Sequence, residues 1–121
     1  MKRKFTSLVF AATLFAIFVA TGQYFHAEDA PKRIEITAKR FDFSPSDVTL
    51  KKGEPVVIVL TSTDVDHGLK FKELNLTVSG KKGQTNEVKF TPDKAGDFVG
   101  QCSVFCGSGH GGMKMTLHVT E

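Results

Sequence analysis

Cys102, Cys106, His110 and Met113 fall within twelve residues of one another, in the stretch CSVFCGSGHGGM. Two thiols, an imidazole and a thioether are thus close along the chain, and four glycines among them let the backbone fold around one point. Thiolate and thioether sulfur combined with imidazole is the donor set that copper prefers. Zinc also accepts Cys and His, but methionine is a weak ligand for it and its four ligands usually arrive as separated pairs. Calcium and magnesium need clustered carboxylates, which this stretch lacks. A second imidazole is available from afar. His67 follows Asp64-Val65-Asp66 at the end of a long apolar run.

Bringing His67 to the later loop requires strands that cross a core and return. After a polar segment at 28–33 (EDAPKR), apolar residues alternate in short runs bounded by turn residues, with no helical period of useful length. Ile34 to Phe43 reads as a strand interrupted near Lys39-Arg40. Val48 to Lys51, Val65 to Phe71, Leu74 to Val78, Glu87 to Phe90, Phe98 to Cys102 and Lys114 to Thr120 read as further strands. Val56 to Leu60 is an unbroken apolar run, rich in β-branched residues, as expected of a strand buried on both faces. Roughly seven or eight strands at this spacing predict an all-β antiparallel sandwich. Its core would hold Val56, Ile58, Leu60, Phe90 and Phe98, and its end would carry the His67 loop beside the later one.

The chain has 121 residues, enough for one domain, and its 16 Lys and Arg against 13 Asp and Glu give a formal charge of +3. Three of those cations are Lys2, Arg3 and Lys4. Setting them aside leaves 13 against 13, so no basic excess remains to attract nucleic acid. The cationic tip is followed by an apolar run from Leu8 to Ala20. That run suits the core of an export signal and is shorter than the roughly 20 residues that span a bilayer comfortably. The expected organisation is a hydrophobic leader helix at 1–22, cleaved or kept as a membrane anchor, then a linker at 23–33 and one domain at 34–121. The domain would lie outside the cytoplasm, on the periplasmic side.

At Asp-Val-x-His67 and Cys102-x-x-x-Cys106-x-x-x-His110-x-x-Met113, with Gly100 and Gly107 flanking the cysteines, the chain resembles the copper-A domain of cytochrome c oxidase subunit II, from about Ile34 to the C-terminus. The resemblance implies a cupredoxin fold, a Greek-key sandwich. It also implies a dinuclear centre in which Cys102 and Cys106 bridge two copper ions. One copper would also take His67 and a weak Met113, the other His110 and the backbone carbonyl of Val104. Three departures stand out. Val104 replaces the usual glutamate between the cysteines, which helps to bind magnesium where subunit II meets the catalytic subunit. The chain has no tryptophan. At most one membrane helix precedes the domain, where the family usually has a hairpin of two. These point to a stand-alone exported relative that exchanges single electrons with a c-type cytochrome or a terminal oxidase.

Other readings stay open at this point. The same ligands suit a carrier that delivers copper to an oxidase, or an atypical oxidase subunit. Two cysteines in an exported protein also suit a simple disulfide in a metal-free binding domain. Asp64 and Asp66 lack a catalytic partner, so the chain is not expected to catalyse turnover by itself; Asp64 is expected to tie down its loop by hydrogen bonds. Met115 shares a strand face with Met113, Leu117 and Val119 and reads as core. His118 lies on the opposite face and reads as solvated, His26 belongs to the leader or linker, and Lys51-Lys52 and Lys81-Lys82 read as solvated turn charges.

Overall fold

A computed structural model describes residues 30–121. The expected leader and the first part of the linker, with His26, lie outside the described residues. Nine strands follow in order: β1 (Lys32–Lys39), β2 (Asp42–Ser44), β3 (Asp47–Lys51), β4 (Val56–Ser62), β5 (His67–Phe71), β6 (Leu76–Gly80), β7 (Thr85–Phe90), β8 (Gly96–Cys102) and β9 (Lys114–Thr120). Single 3-10 turns occupy Lys72–Leu74 and His110–Gly112. One sheet has the order β2-β1-β4-β7 and the other β3-β9-β8-β5-β6.

Alternation of apolar and polar side chains builds both sheets. In β1, Ile34, Ile36 and Ala38 turn inward; in β9, Met115, Leu117 and Val119 do the same, as expected for Met115. Between the sheets they meet Ile58, Leu60, Leu69, Phe71 and Phe98. Strand β4 is buried on both faces, as its unbroken apolar run predicts. The inner face packs in the sandwich. Across the outer face Arg33 of β1 reaches Glu87 of β7 at 3.1 Å, spanning the strand that carries Val57 and Val59. Phe90, at the end of β7, packs against the core only half-buried.

The sandwich expected from the sequence is present, with one difference in its pairing. β1 runs parallel to β4 and β3 parallel to β9, whereas the remaining ladders are antiparallel. The reason is topological. β1 and β3 lead in opposite sheets, and each pairs with a later strand that has already crossed the sandwich. β1 begins at Lys32, which pairs with Val56 inside the span expected to be linker.

His118 is not simply solvated. In β9 it lies between β3 and β8, and its ring nitrogens meet Asp97 Oδ1 at 2.7 Å and Asp47 Oδ1 at 2.9 Å. Asp97 first and Asp47 second raise the imidazole above its ordinary value, while His118 first and Ser46 second lower Asp47. The histidine's contribution is therefore complete below about pH 6.5 and fades as pH rises through its raised value; that of Asp47 is complete above about pH 4 and fades as pH falls. His118→Gln is expected to lower the urea midpoint between about pH 4.5 and 6.5 and to change it little at pH 9. Equal losses at both pH values in urea titrations would show that the ion pairs contribute nothing.

Candidate metal centre

Cys102 is the last residue of β8 and Met113 immediately precedes β9, so the glycine-rich stretch is the closing loop of a hairpin. Its two ends are tied together: Cys102 N–H donates to Met113 O at 3.0 Å. The β5–β8 ladder pairs Leu69 with Cys102, which brings His67, two residues earlier on β5, to the same end of the sheet. Ser103 N–H donates to Gly68 O at 3.1 Å and holds the start of the loop against β5. The absence of a side chain at Gly68 permits this approach, because a Cβ would displace Ser103 Oγ and press on Val104.

All six residues singled out from the sequence come together. Cys102 Sγ and Cys106 Sγ lie 3.7 Å apart, both buried. Cys102 Sγ lies 4.0 Å from His67 Nδ1 and donates to Val104 O at 3.1 Å. Cys106 Sγ lies 3.7 Å from His110 Nδ1 and 3.8 Å from Met113 Sδ. Each sulfur thus has one imidazole nitrogen and one further donor beside it. His67 and Met113 are fully buried and His110 is half-buried. Burial first, then the neighbouring Cys102, pushes the Cys106 thiol up to about 11. A thiol held that high is a poor nucleophile. The sulfurs would also have to close to about 2.05 Å to form a disulfide.

Asp64 fixes the imidazole of His67. One carboxylate oxygen accepts Arg40 N–H at 2.8 Å; the other accepts Val65 N–H at 2.8 Å and meets His67 Nε2 at 2.7 Å. The Arg40 N–H, then His67 and the Val65 N–H, hold this carboxyl well below the usual carboxylate range. An ionised carboxylate only accepts, so Nε2 carries a proton and Nδ1 is the ring nitrogen turned toward Cys102 Sγ. The loop-tying role expected of Asp64 is present, and it extends to the orientation of His67.

Arg40 and Phe41 were not singled out from the sequence. Arg40 Nε donates to Cys106 O at 2.6 Å, and the Phe41 ring lies against Gly109 so closely that a Cβ there would come within 2.5 Å of it. The sequence signal was the polar interruption at Lys39-Arg40. This corner between β1 and β2 braces the far side of the loop.

The donors are two thiols, two imidazole nitrogens, a thioether and a carbonyl oxygen. That set fits copper, and hard cations find no carboxylate oxygen among the six, since Asp64 is occupied by Arg40, Val65 and His67.

A family model described as a cupredoxin-like domain matches residues 8–117. The chain belongs to the cupredoxin-like family. This cupredoxin is 30% identical over 88 residues to cytochrome c oxidase subunit 2 of Thermus thermophilus, a match covering 73% of the chain and 65% of that protein. The chain therefore spans just under two thirds of the relative's length. In fold it resembles the periplasmic domain of subunit II of cytochrome oxidase of Bradyrhizobium japonicum, with a TM-score of 0.69 at 22% identity, covering 76% of this chain and 86% of that one. A chain of a heme-copper terminal oxidase dimer superposes with a TM-score of 0.67 at 27% identity, over 78% of this chain and 68% of that one.

The packing of Phe41 yields a prediction. Gly109→Ala should destabilise the protein by about 1–3 kcal/mol through overpacking, and adding Phe41→Leu should recover part of that loss. Urea titrations of the two single variants and the double variant check it. Additive losses would show that the ring and the glycine do not touch.

Proposed function

We propose that the protein is a one-electron carrier working outside the cytoplasm, with a dinuclear copper centre held by His67, Cys102, the carbonyl of Val104, Cys106, His110 and Met113. One observation carries the reading: two buried sulfurs 3.7 Å apart, each flanked by its own imidazole nitrogen and its own additional donor. Two sulfurs shared among two imidazoles and two further donors suit a pair of ions, whereas a single ion would leave part of the set unused. The 30% identity to an oxidase subunit 2 supports the same reading. An apolar leader, and a fold neighbour that is a periplasmic domain, support the location. A c-type cytochrome or a terminal oxidase is the partner class that this reading implies.

Copper held by these residues would supply reversible one-electron chemistry, and a pair of ions would spread the charge change so that each metal–ligand bond changes little. The chain's own residues do the rest. Cys102 and Cys106 would each give up a proton, against the burial that keeps Cys106 protonated in their absence. Asp64 keeps Nδ1 of His67 pointed inward, and the Arg40–Cys106 hydrogen bond holds the opposite wall. Met113, fully buried between the sheets, supplies a weak thioether and excludes water. His110, the side-chain donor nearest to solvent, is where an electron would enter or leave.

The test is copper stoichiometry together with reversible one-electron electrochemistry. The wild type should bind two coppers per chain. Cys102→Ser and Cys106→Ser should each abolish the pair, because a hydroxyl is too hard a donor to bridge copper. Met113→Leu should keep both ions and raise the reduction potential, since a weak thioether donor tunes potential more than affinity. Val104→Ala should keep both ions, because the proposed contact is through its carbonyl. A colourless Cu(I) complex that passes its metal to an acceptor and shows no reversible couple would contradict the carrier of electrons and favour a carrier of copper.

A further inference from the structure

One fixed charge beside the centre has no part in the donor set. Arg40 lies in the corner between β1 and β2, and it is tied on both sides of the site. Its N–H donates to Asp64 Oδ2 at 2.8 Å, and Thr63 N–H donates to Ala38 O at 3.1 Å just before it. Its Nε donates to Cys106 O at 2.6 Å. The side chain passes over Gly107, where a Cβ would come within 3.0 Å of the Phe41 ring and 3.4 Å of Arg40 Nε. A single residue thus spans from the carboxylate that orients His67 to the peptide that carries Cys106.

The guanidinium stays charged throughout the working pH range, and it makes no ion pair among the described residues. Asp66 and Lys82 line the same shallow cavity as Arg40 and carry opposite charges, so together they add no net charge beside it. The Asp64 carboxylate stands on the His67 side of the cluster and the guanidinium on the Cys106 side. Asp64 cannot be replaced without releasing His67. The Arg40 side chain supplies no donor, so its charge can be varied with all six donors in place. An electron taken up at the centre adds one negative charge next to this fixed positive one. In that step one electron passes from the redox partner to the copper pair, and no bond forms or breaks. A nearby cation favours the reduced form over the oxidised one, and solvent and salt weaken the effect where the cation is exposed. The same group, through its charge-assisted hydrogen bond to a carbonyl, also restrains the loop.

We propose that Arg40 is a positioning residue with two separable roles: through Nε it latches the Cys106–Gly107 peptide, and through its charge it raises the reduction potential of the centre. This rests on the electron-carrier reading and adds a residue, outside the donor set and from the opposite sheet, that tunes it. The two roles come apart by substitution. Arg40→Gln removes the charge and the donor at Nε. Arg40→Lys keeps the charge but puts a methylene where Nε stands.

The test uses the full chain, copper-loaded for the potential and metal-free with reduced thiols for the loop. At about 10 mM salt, Arg40→Gln should lower the equilibrium constant for one-electron reduction about tenfold, or about 59 mV. At about 200 mM salt the drop should be smaller. Arg40→Lys should stay within about twofold of the wild type. Lys39→Gln makes the same charge change at the neighbouring exposed residue, and should also stay within about twofold. In the metal-free protein, both Arg40 variants should speed amide hydrogen exchange about tenfold at His110 and Gly112, whose N–H groups bond within the loop to Gly107 O and Gly109 O. Unchanged exchange in both variants overturns the latch. An unmoved potential in Arg40→Gln overturns the role of the charge, as does an equal drop in Arg40→Lys or in Lys39→Gln. A wild type with no reversible couple sinks the electron-carrier reading and the tuning role with it. A reversible couple that Arg40→Gln leaves in place sinks the tuning role alone, so the two failures are distinguishable.

Discussion

Two thiols buried side by side are the constraint around which this end of the molecule is arranged. Burial and the neighbouring Cys102 push the Cys106 thiol up to about 11, so it stays protonated near neutral pH until a cation displaces its proton. One weak S–H···S contact does not fix two sulfurs 3.7 Å apart; the surrounding backbone does. The β8–β9 hairpin closes its loop through Cys102 N–H to Met113 O, and β5 pins the start of that loop at Gly68. From the opposite sheet, the corner after β1 contributes Arg40 and Phe41. The cluster is therefore clamped between the sheets: His67, Cys102 and Met113 come from the five-stranded sheet and its loop, and the braces from the four-stranded one.

Asp64 joins the two sides. Its carboxylate takes the Arg40 N–H on the β1 side and orients His67 at the start of β5. Because it is ionised far below neutrality, this link weakens only in strong acid. A sandwich core that needs no metal, built on Ile36, Ile58, Leu60, Leu69 and Leu117, carries the whole arrangement. Donors fixed in this way would have to rearrange little when an electron arrives or leaves, which is what a carrier requires.

The clustering of these side chains was legible because most of it is local. Cys102 to Met113 is one loop, and His67 opens β5, separated by four residues from a strand whose burial on both faces is written in Val56 to Leu60. The strands were legible from their alternation. Their directions were not: a period of two is the same in parallel and antiparallel ladders, so the β1–β4 and β3–β9 pairings had no signature. Arg40 and Phe41 were missed because their contacts with the loop, to Cys106 and Gly109, lie more than 60 residues away along the chain, and locally they mark only an interruption. His118 read as solvated because Asp47 and Asp97 reach it only through the register of three strands.

The central claim is that the two sulfurs serve two metal ions rather than one. The most direct measurement is the spin-resonance spectrum of the copper-loaded full chain in its paramagnetic state. The account predicts hyperfine structure from two copper nuclei sharing one unpaired electron. Hyperfine structure from a single copper nucleus would contradict it.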